Sequence, residues 1–283
     1  KMNLALRGIS HNLGPESDST FTNDLHKGLY FDYIMANPPF NLKGWYNDNL
    51  KNDSRWSDYD TPPASNANYA WILHILSHLN QQHGVAGFLL ANGALGDADT
   101  INIRKKLIEN DKVEAIIVLP RELFITTDIS VTLWILNQNK KGGMWHGRKQ
   151  RNREGEILFM DLRQWTENPV KGEQKKKVIL KEDQIKRATE IYFKWQAEGT
   201  DGANYAEPEL YRSVRLDGTD GIEANNFSLV PSRYIEFVDR DSNIDYDKVL
   251  TETASVVSDL LKRQKENEDT LRNALKELGY ECK

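Results

Sequence analysis

Tyr30-Phe31-Asp32-Tyr33-Ile34-Met35-Ala36-Asn37-Pro38-Pro39-Phe40 is the stretch on which the reading of the chain turns. The run from Tyr30 to Ala36 predicts a buried strand. Asn37 then falls at its carboxyl end, where open α/β sheets place their ligand crevice. A residue before proline is pushed toward extended geometry, so Asn37 and Pro38 are both steered away from helix. Pro38 and Pro39 have φ locked and no N–H to donate. The expected product is a stiff turn that presents one amide side chain, its neighbouring carbonyls and one aromatic ring.

Those groups suit one chemical task. An exocyclic amino group on a nucleobase is a poor nucleophile because its lone pair is conjugated into the ring. The Asn37 side-chain oxygen and the Pro38 carbonyl can each accept one of its N–H bonds. Acceptors placed off the ring plane favour a more tetrahedral nitrogen and stabilise the positive charge that develops on it. Phe40 can stack on the base, and a base within a duplex must be flipped out to reach such a pocket. The bland alternative for four residues alone is an ordinary proline turn after a strand.

Outward from the turn, the chain alternates strands and helices, which favours an α/β sheet with helix layers. Residues 1–8 read as the end of a helix stopped by Gly8. Residues 43–63, rich in Asn, Asp and Trp, read as a long loop beside the site that orders on substrate or partner binding. A helix is expected over 66–82, a strand over 85–91, a helix over 101–110, and strands over 113–119, 131–136 and 157–161. Lys140, Lys141, Arg148, Lys149, Arg151 and Arg153 cluster around Gly142-Gly143 and Trp145. That cluster reads as a solvated surface loop, with phosphate contact as the alternative. Beyond residue 165 the composition shifts. A helix is expected over 182–197, loop-like chain over 199–221, and a long helix over 246–279 with an apolar stripe from Val256 to Leu278. The boundaries expected are 1–165 for a catalytic domain, 166–245 for a mixed extension and 246–283 for a helix that contacts a partner.

Composition narrows the function. No apolar run approaches the roughly 20 residues of a membrane span, so no membrane partner is expected. No signal-peptide pattern is present. The single cysteine, Cys282, cannot form an internal disulfide, which suits a reducing cytoplasm. The net charge of −5 is unlike that of an autonomous DNA binder, whose affinity comes mostly from phosphate neutralisation.

The tetrapeptide 37–40 resembles the Asn/Asp-Pro-Pro-Phe/Tyr signature of amino-group methyltransferases that use S-adenosylmethionine. Ending in Phe40, it is similar to the adenine-N6 enzymes that act on DNA. Other stretches resemble the modification (methyltransferase) subunit of type I restriction systems, in order from residue 1 to about 238. They are Met2-Asn3-Leu4-Ala5-Leu6-Arg7-Gly8-Ile9, Phe21-Thr22-Asn23-Asp24-Leu25-His26 and Ser65-Asn66-Ala67-Asn68-Tyr69-Ala70-Trp71-Ile72-Leu73-His74. Ile103-Arg104-Lys105-Lys106-Leu107-Ile108-Glu109 and Leu119-Pro120-Arg121-Glu122-Leu123-Phe124 follow, the latter leading into Thr126-Thr127-Asp128-Ile129. The last is Phe227-Ser228-Leu229-Val230-Pro231-Ser232-Arg233-Tyr234-Ile235.

The resemblance implies a Rossmann-like α/β methyltransferase sheet followed by a helical C-terminal region. It implies S-adenosylmethionine as cofactor and DNA as substrate. A specificity subunit would be the partner that reads sequence, and a separate ATP-dependent restriction subunit a further partner. The family's glycine-rich cofactor loop and ribose-binding acid, both upstream of a stretch like 1–9, are absent. The chain is therefore expected to be the C-terminal part of a longer protein, its sheet incomplete on the N-terminal side. Asn37 and Pro38 carry the catalytic expectation, and Phe40 and Phe124 the stacking on the base. Asp18 or Asp24 is the expected acceptor for the cofactor's adenine, or else a turn residue. Asn68 and Tyr69 either line the cofactor pocket or serve as helix cap and core aromatic. His74 and His78, at i and i+4, lack the HExxH glutamate because Ile75 follows His74, and they read as helix histidines without a metal. The alternatives are an amino methyltransferase acting on RNA or on a protein glutamine, and a non-catalytic assembly fragment. The glutamine enzymes typically end the motif in Tyr.

Overall fold

The computed structural model describes residues 2–124, 128–165, 178–198, 207–236 and 246–278. In chain order its elements are α1 (Met2–Ala5), β1 (Tyr33–Ala36), α2 (Asn68–Ser77), β2 (Val85–Ala91), α3 (Ile101–Glu109), β3 (Val113–Val118) and β4 (Val131–Asn137). Then come β5 (Gly143–Trp145), β6 (Arg148–Gln150), β7 (Glu156–Asp161), α4 (Glu182–Glu198), β8 (Tyr211–Arg215) and α5 (Tyr246–Glu277). Six strands form one sheet in the order β1-β2-β4-β3-β7-β8, and β5 and β6 make a separate hairpin. β1 and β2 are parallel, as are β3 and β7, while β4 runs antiparallel to both β2 and β3. The carboxyl ends of β1, β2, β3 and β7 therefore share one edge.

Two apolar layers hold the sheet. On one face Ile72, Leu73 and Leu76 of α2 and Ile103 and Leu107 of α3 pack with Phe88, Ile116, Trp134 and Phe159. On the other, Trp195 of α4 packs with Ala115, Ile117, Leu158 and Met160. All six residues of β3 are buried, as a strand covered on both faces requires. β1 differs from the buried strand expected. It spans only Tyr33–Ala36, because Phe31 leaves the ladder for a bridge to Leu79. Ile34 and Ala36 pack against the core, whereas Tyr33 and Met35 on the opposite face are 56% and 92% exposed.

Four further expectations are corrected. Residues 43–63 do not wait for a ligand to fold, since Trp45, Leu50 and Trp56 are buried in the same core as α2. The described part of the 199–221 stretch is not wholly loop, because Tyr211–Arg215 adds an antiparallel edge strand to β7. Lys140 and Arg153 are not solvated. Arg153 Nε donates to Glu114 Oε1 at 3.0 Å with both side chains fully buried, and Lys140 Nζ meets Asp111 Oδ1 at 2.5 Å. Burial pulls the Lys140 ammonium below its ordinary pKa, opposed by Asp111. Arg151 pairs with Glu156, so only Lys141, Arg148 and Lys149 of the cluster lie exposed. Finally, the compact units are Lys1–Glu236 and Phe237–Lys283. The boundary expected at 165 falls inside the first, because β8 and α4 complete its sheet and its second core. In the second unit Val256, Val257, Leu260, Leu261, Leu271 and Leu278 of α5 are exposed.

Candidate functional site

The proline corner stands at the carboxyl edge of the sheet. Ala36 is the last residue of β1 in register with β2, opposite Phe88, and the chain leaves the ladder at Asn37. Asn37 is exposed, Pro38 buried, Pro39 exposed and Phe40 half-buried. The Asn37 amide is free of the hydrogen bonds that tie the other described residues of this region together. A buried anchor (Pro38) thus carries an open amide on one side and a partly sheltered ring on the other. Neither the amide nor the ring is fully buried.

Downstream of Phe40 the chain is held firmly. Asn41 adopts a left-handed φ of 51°, a conformation that Asn tolerates better than most residues. Its N–H donates to Asn68 Oδ1 at 3.0 Å, and Asn68 Nδ2 donates to Asn41 Oδ1 at 2.8 Å. The orientation of the Asn68 amide follows from chemistry. A backbone N–H can only donate, so the oxygen of Asn68 must face it. The Ala67 N–H closes the set by donating to the Leu42 carbonyl at 3.0 Å. Asn68 is buried at the first turn of α2 and is engaged with the corner rather than left open to a ligand. Asn41 was not singled out from sequence, although Asn is among the few residues that tolerate a left-handed position.

The other expected site residues separate. Tyr69 is a core aromatic at 1% exposure whose hydroxyl donates to the Ala94 carbonyl at 2.8 Å, so it lines no pocket. Asp24 accepts from the His26 N–H at 3.0 Å and meets His78 Nε2 at 3.0 Å. Asp18 lies exposed, accepting from Ser19 N–H and Asn23 Nδ2, and these bonds lower its pKa. Phe124 is half-buried in the β3–β4 connection, on the same sheet edge as Asn37; residues 125–127 beside it lie outside the described residues, as do Thr126 and Thr127 of the matching stretch. Of the four residues expected to hold S-adenosylmethionine, only Asp18 is exposed, and both of its carboxylate oxygens already accept local hydrogen bonds. The described residues do not by themselves make a complete donor set for that cofactor.

Asp24, His74 and His78 place their ligand atoms within 4.8 Å of one another. Each ring nitrogen of the cluster already has a hydrogen-bond partner. Arg55 Nη1 faces His74 Nδ1 at 3.1 Å, so the neutral ring carries its proton on Nε2, which faces Thr20 Oγ1 at 3.0 Å. Both nitrogens of His78 face acceptors, the Leu29 carbonyl and the Asp24 carboxylate. Arg55 also donates to the Thr20 and Phe21 carbonyls and pairs with Asp53. The cluster therefore ties the 20–29 segment and the 53–55 turn to α2. Arg55, in a polar loop, carried no sequence signal for that role.

Burial first, then the neighbouring His78 and Arg55, push the His74 pKa from 6.5 to about 4. The unfolded chain takes up a proton near its ordinary value that the folded chain refuses until the lower one. Stability from this group is thus complete above the unfolded value and falls as pH drops through the window, by on the order of 3 kcal/mol. Urea unfolding between pH 7 and pH 4.5 checks this. Wild type is expected to lose more stability across that range than His74→Gln, and equal losses would contradict the assignment.

An open groove of about 510 Å³ lies on the carboxyl edge, lined by Asn92, Arg121, Asp128, Ser130 and Arg163. Its arginines face the same edge of the sheet as the corner. A more enclosed cavity of about 290 Å³, lined by Tyr33, His83, Trp145, Arg148 and Phe193, sits at the opposite edge, where β1 and β2 begin. It is remote from Asn37 along the strands, so its better enclosure does not make it the site of the chemistry.

Comparison with known proteins gives a consistent result. The family model described as N-6 DNA Methylase matches residues 1–243. The type I restriction enzyme HindI methylase subunit of Haemophilus influenzae is 34% identical over 287 residues, covering 99% of this chain and 59% of that protein. The MjaIX methylase subunit of Methanocaldococcus jannaschii is 32% identical over 284 residues, covering 98% and 47%. The chain thus spans about half the length of these relatives. Among solved structures, a type I restriction-modification methyltransferase subunit from Streptococcus thermophilus superposes with a TM-score of 0.64 at 23% identity, covering 84% of this chain and 45% of that one. The EcoKI M protein superposes with a TM-score of 0.60 at 19% identity, covering 98% and 60%. At these identities the two structures speak to the fold alone.

Proposed function

Because the chain belongs to the N-6 DNA methylase family, we propose that it supplies the acceptor side of methyl transfer to the N6 amino group of adenine in DNA, within the modification subunit of a type I restriction-modification system. One observation carries this reading. An exposed, uncommitted amide stands at the carboxyl edge of the sheet, joined through a buried proline to a half-buried phenyl ring.

S-adenosylmethionine, when bound, supplies the methyl group. The rest of the chemistry here belongs to the corner. Asn37 Oδ1 and the Pro38 carbonyl accept the two amino hydrogens of a flipped adenine. This directs the nitrogen lone pair out of conjugation, and the same dipoles stabilise the charge that forms on nitrogen. The acceptors need no reorganisation, because the prolines fix the backbone that carries them. Phe40, and Phe124 from the β3–β4 connection, hold the ring by stacking. Transfer would break the donor's methyl–sulfur bond, leaving its electron pair on sulfur, as the nitrogen lone pair forms the C–N bond, and the methylated nitrogen would then release one proton to solvent.

DNA runs along the carboxyl edge, where Arg121 and Arg163 meet phosphate. With a net charge of −5, the main grip and the reading of sequence fall to a specificity subunit. The exposed stripe of α5 serves subunit contact, a restriction subunit supplies ATP-driven cleavage, and a DNA substrate places the assembly in the cytoplasm. Among the described residues no helix is long and apolar enough to cross a membrane. The test is transfer of labelled methyl from S-adenosylmethionine by the complete assembly to DNA, RNA and protein acceptors. Label recovered as N6-methyladenine in DNA is the expected result. Label only in RNA or in protein glutamine would overturn the substrate, and no transfer to any acceptor would overturn the function.

A further inference from the structure

The strap between α2 and the loop after Phe40 does more than finish a helix. Phe40 lies between two fixed points. Pro38 and Pro39 lock φ on its amino side. On its carboxyl side, Asn41 is left-handed, with both its N–H and its side-chain oxygen bound by one buried amide, that of Asn68. The buried amide belongs to a helix anchored in the core through Tyr69, Ile72 and Leu73. The position of the phenyl ring is thereby referred to the core.

Resting on the functional reading above, we propose that Asn68 is a positioning residue for methyl transfer. Through its paired hydrogen bonds to Asn41 it sets where Phe40 meets the flipped adenine, and it makes no contact with the methyl donor. Its oxygen accepts the Asn41 N–H and its NH2 gives one hydrogen to Asn41 Oδ1, so Asn41 fixes the orientation of an amide that is only 3% exposed. Loss of the pair would free Asn41 to leave its left-handed conformation and carry Phe40 with it. A shift of about 1 Å in a positioning group can cost on the order of 10²-fold in rate.

Two substitutions separate the chemistry of the pair. Asn68→Asp keeps an acceptor for the Asn41 N–H but sets a carboxylate against Asn41 Oδ1. A negative charge at the first turn of α2 is tolerated by the helix dipole, so the variant is expected to fold. Asn41→Gly removes the opposing oxygen, keeps the backbone N–H, and accepts a positive φ without strain.

The experiment is steady-state methylation by the complete assembly, with melting temperatures recorded for every variant. In Asn68→Ala and Asn68→Asp, kcat is expected to fall about 10- to 100-fold, with the KM for S-adenosylmethionine within about twofold of wild type. In Asn41→Gly/Asn68→Asp, kcat is expected to recover to well above that of Asn68→Asp. A purely structural role would not produce this recovery. A raised KM for S-adenosylmethionine at unchanged kcat would overturn the inference and make Asn68 a donor-binding residue. A double variant no better than Asn68→Asp, or a loss of activity matching the unfolded fraction, would also overturn it. A wild-type assembly that methylates no adenine would instead remove the functional reading itself.

Discussion

Asn37→Ala is expected to lower adenine methylation by the complete assembly roughly 10²–10³-fold, the scale of removing one preorganised group from a developing charge. The melting temperature is expected to stay within about 2 °C of wild type. Both parts follow from the same geometry. The side chain is exposed at the end of β1 and ties down none of the described residues, so the fold does not miss it. In the proposed mechanism the substrate nitrogen loses one of its two acceptors and keeps only the Pro38 carbonyl. Asn37→Asp keeps an acceptor oxygen in place and is expected to retain more activity than alanine. Methyl incorporation measured beside thermal unfolding checks the pair. Full activity in Asn37→Ala, or loss of activity in step with unfolding, would contradict it.

The largest effect on stability is expected on the opposite side of the sheet. Glu114 sits in β3 at 0% exposure and accepts from Arg153 Nε at 3.0 Å and from Gln196 Nε2 at 3.1 Å. Arg153, itself 0% exposed, also donates to the Arg151 carbonyl at 2.8 Å and to Gln150 Oε1 at 3.1 Å. Arg153→Leu leaves a carboxylate buried without its cation and is expected to cost roughly 3–5 kcal/mol. Removing both charges, in Glu114→Gln/Arg153→Leu, is expected to cost clearly less than the sum of the single changes, since each single change strands the other charge. Urea midpoints of the four proteins check this, and additive losses would contradict the coupling. The Tyr192 hydroxyl packs beside this pair, and burial and Glu114 push its pKa well above the ordinary value. The network is thus a fixed charge array joining β3, the β5–β6 hairpin and α4.

What could be read in advance follows a physical pattern. Val85–Ala91 was legible residue for residue, because a buried apolar run bounded by Gly84 and Asn92 has few other solutions. For α3, β4 and α5, whose periodicity is local, the starts were legible and the expected ends fall within two residues of the observed ones. What escaped depends on partners distant in sequence. Arg153 looked solvated because Glu114 stands 39 positions upstream. The signal was present from the other side, as a lone acid in the apolar run Val113-Glu114-Ala115-Ile116 calls for a buried cation. β8 was missed because Tyr211-Arg212-Ser213-Val214-Arg215 alternates over only five residues in polar surroundings. The 43–63 loop was read from its polar residues, whereas its Trp45 and Trp56 decided its placement. At the site, the corner itself was legible because prolines act locally. The strap from Asn68 to Asn41 spans 27 positions, and only the fold brings those two amides together.

The claim on which the account stands is that the corner grips an adenine amino group. A structure of the complete assembly on DNA, with the target adenine extrahelical, tests it most directly. Asn37 Oδ1 and the Pro38 carbonyl oxygen are predicted to lie about 2.7–3.2 Å from N6, with Phe40 stacked on the ring. An extrahelical adenine whose N6 lies beyond about 4 Å from both oxygens, or that is held elsewhere on the sheet edge, would contradict the account.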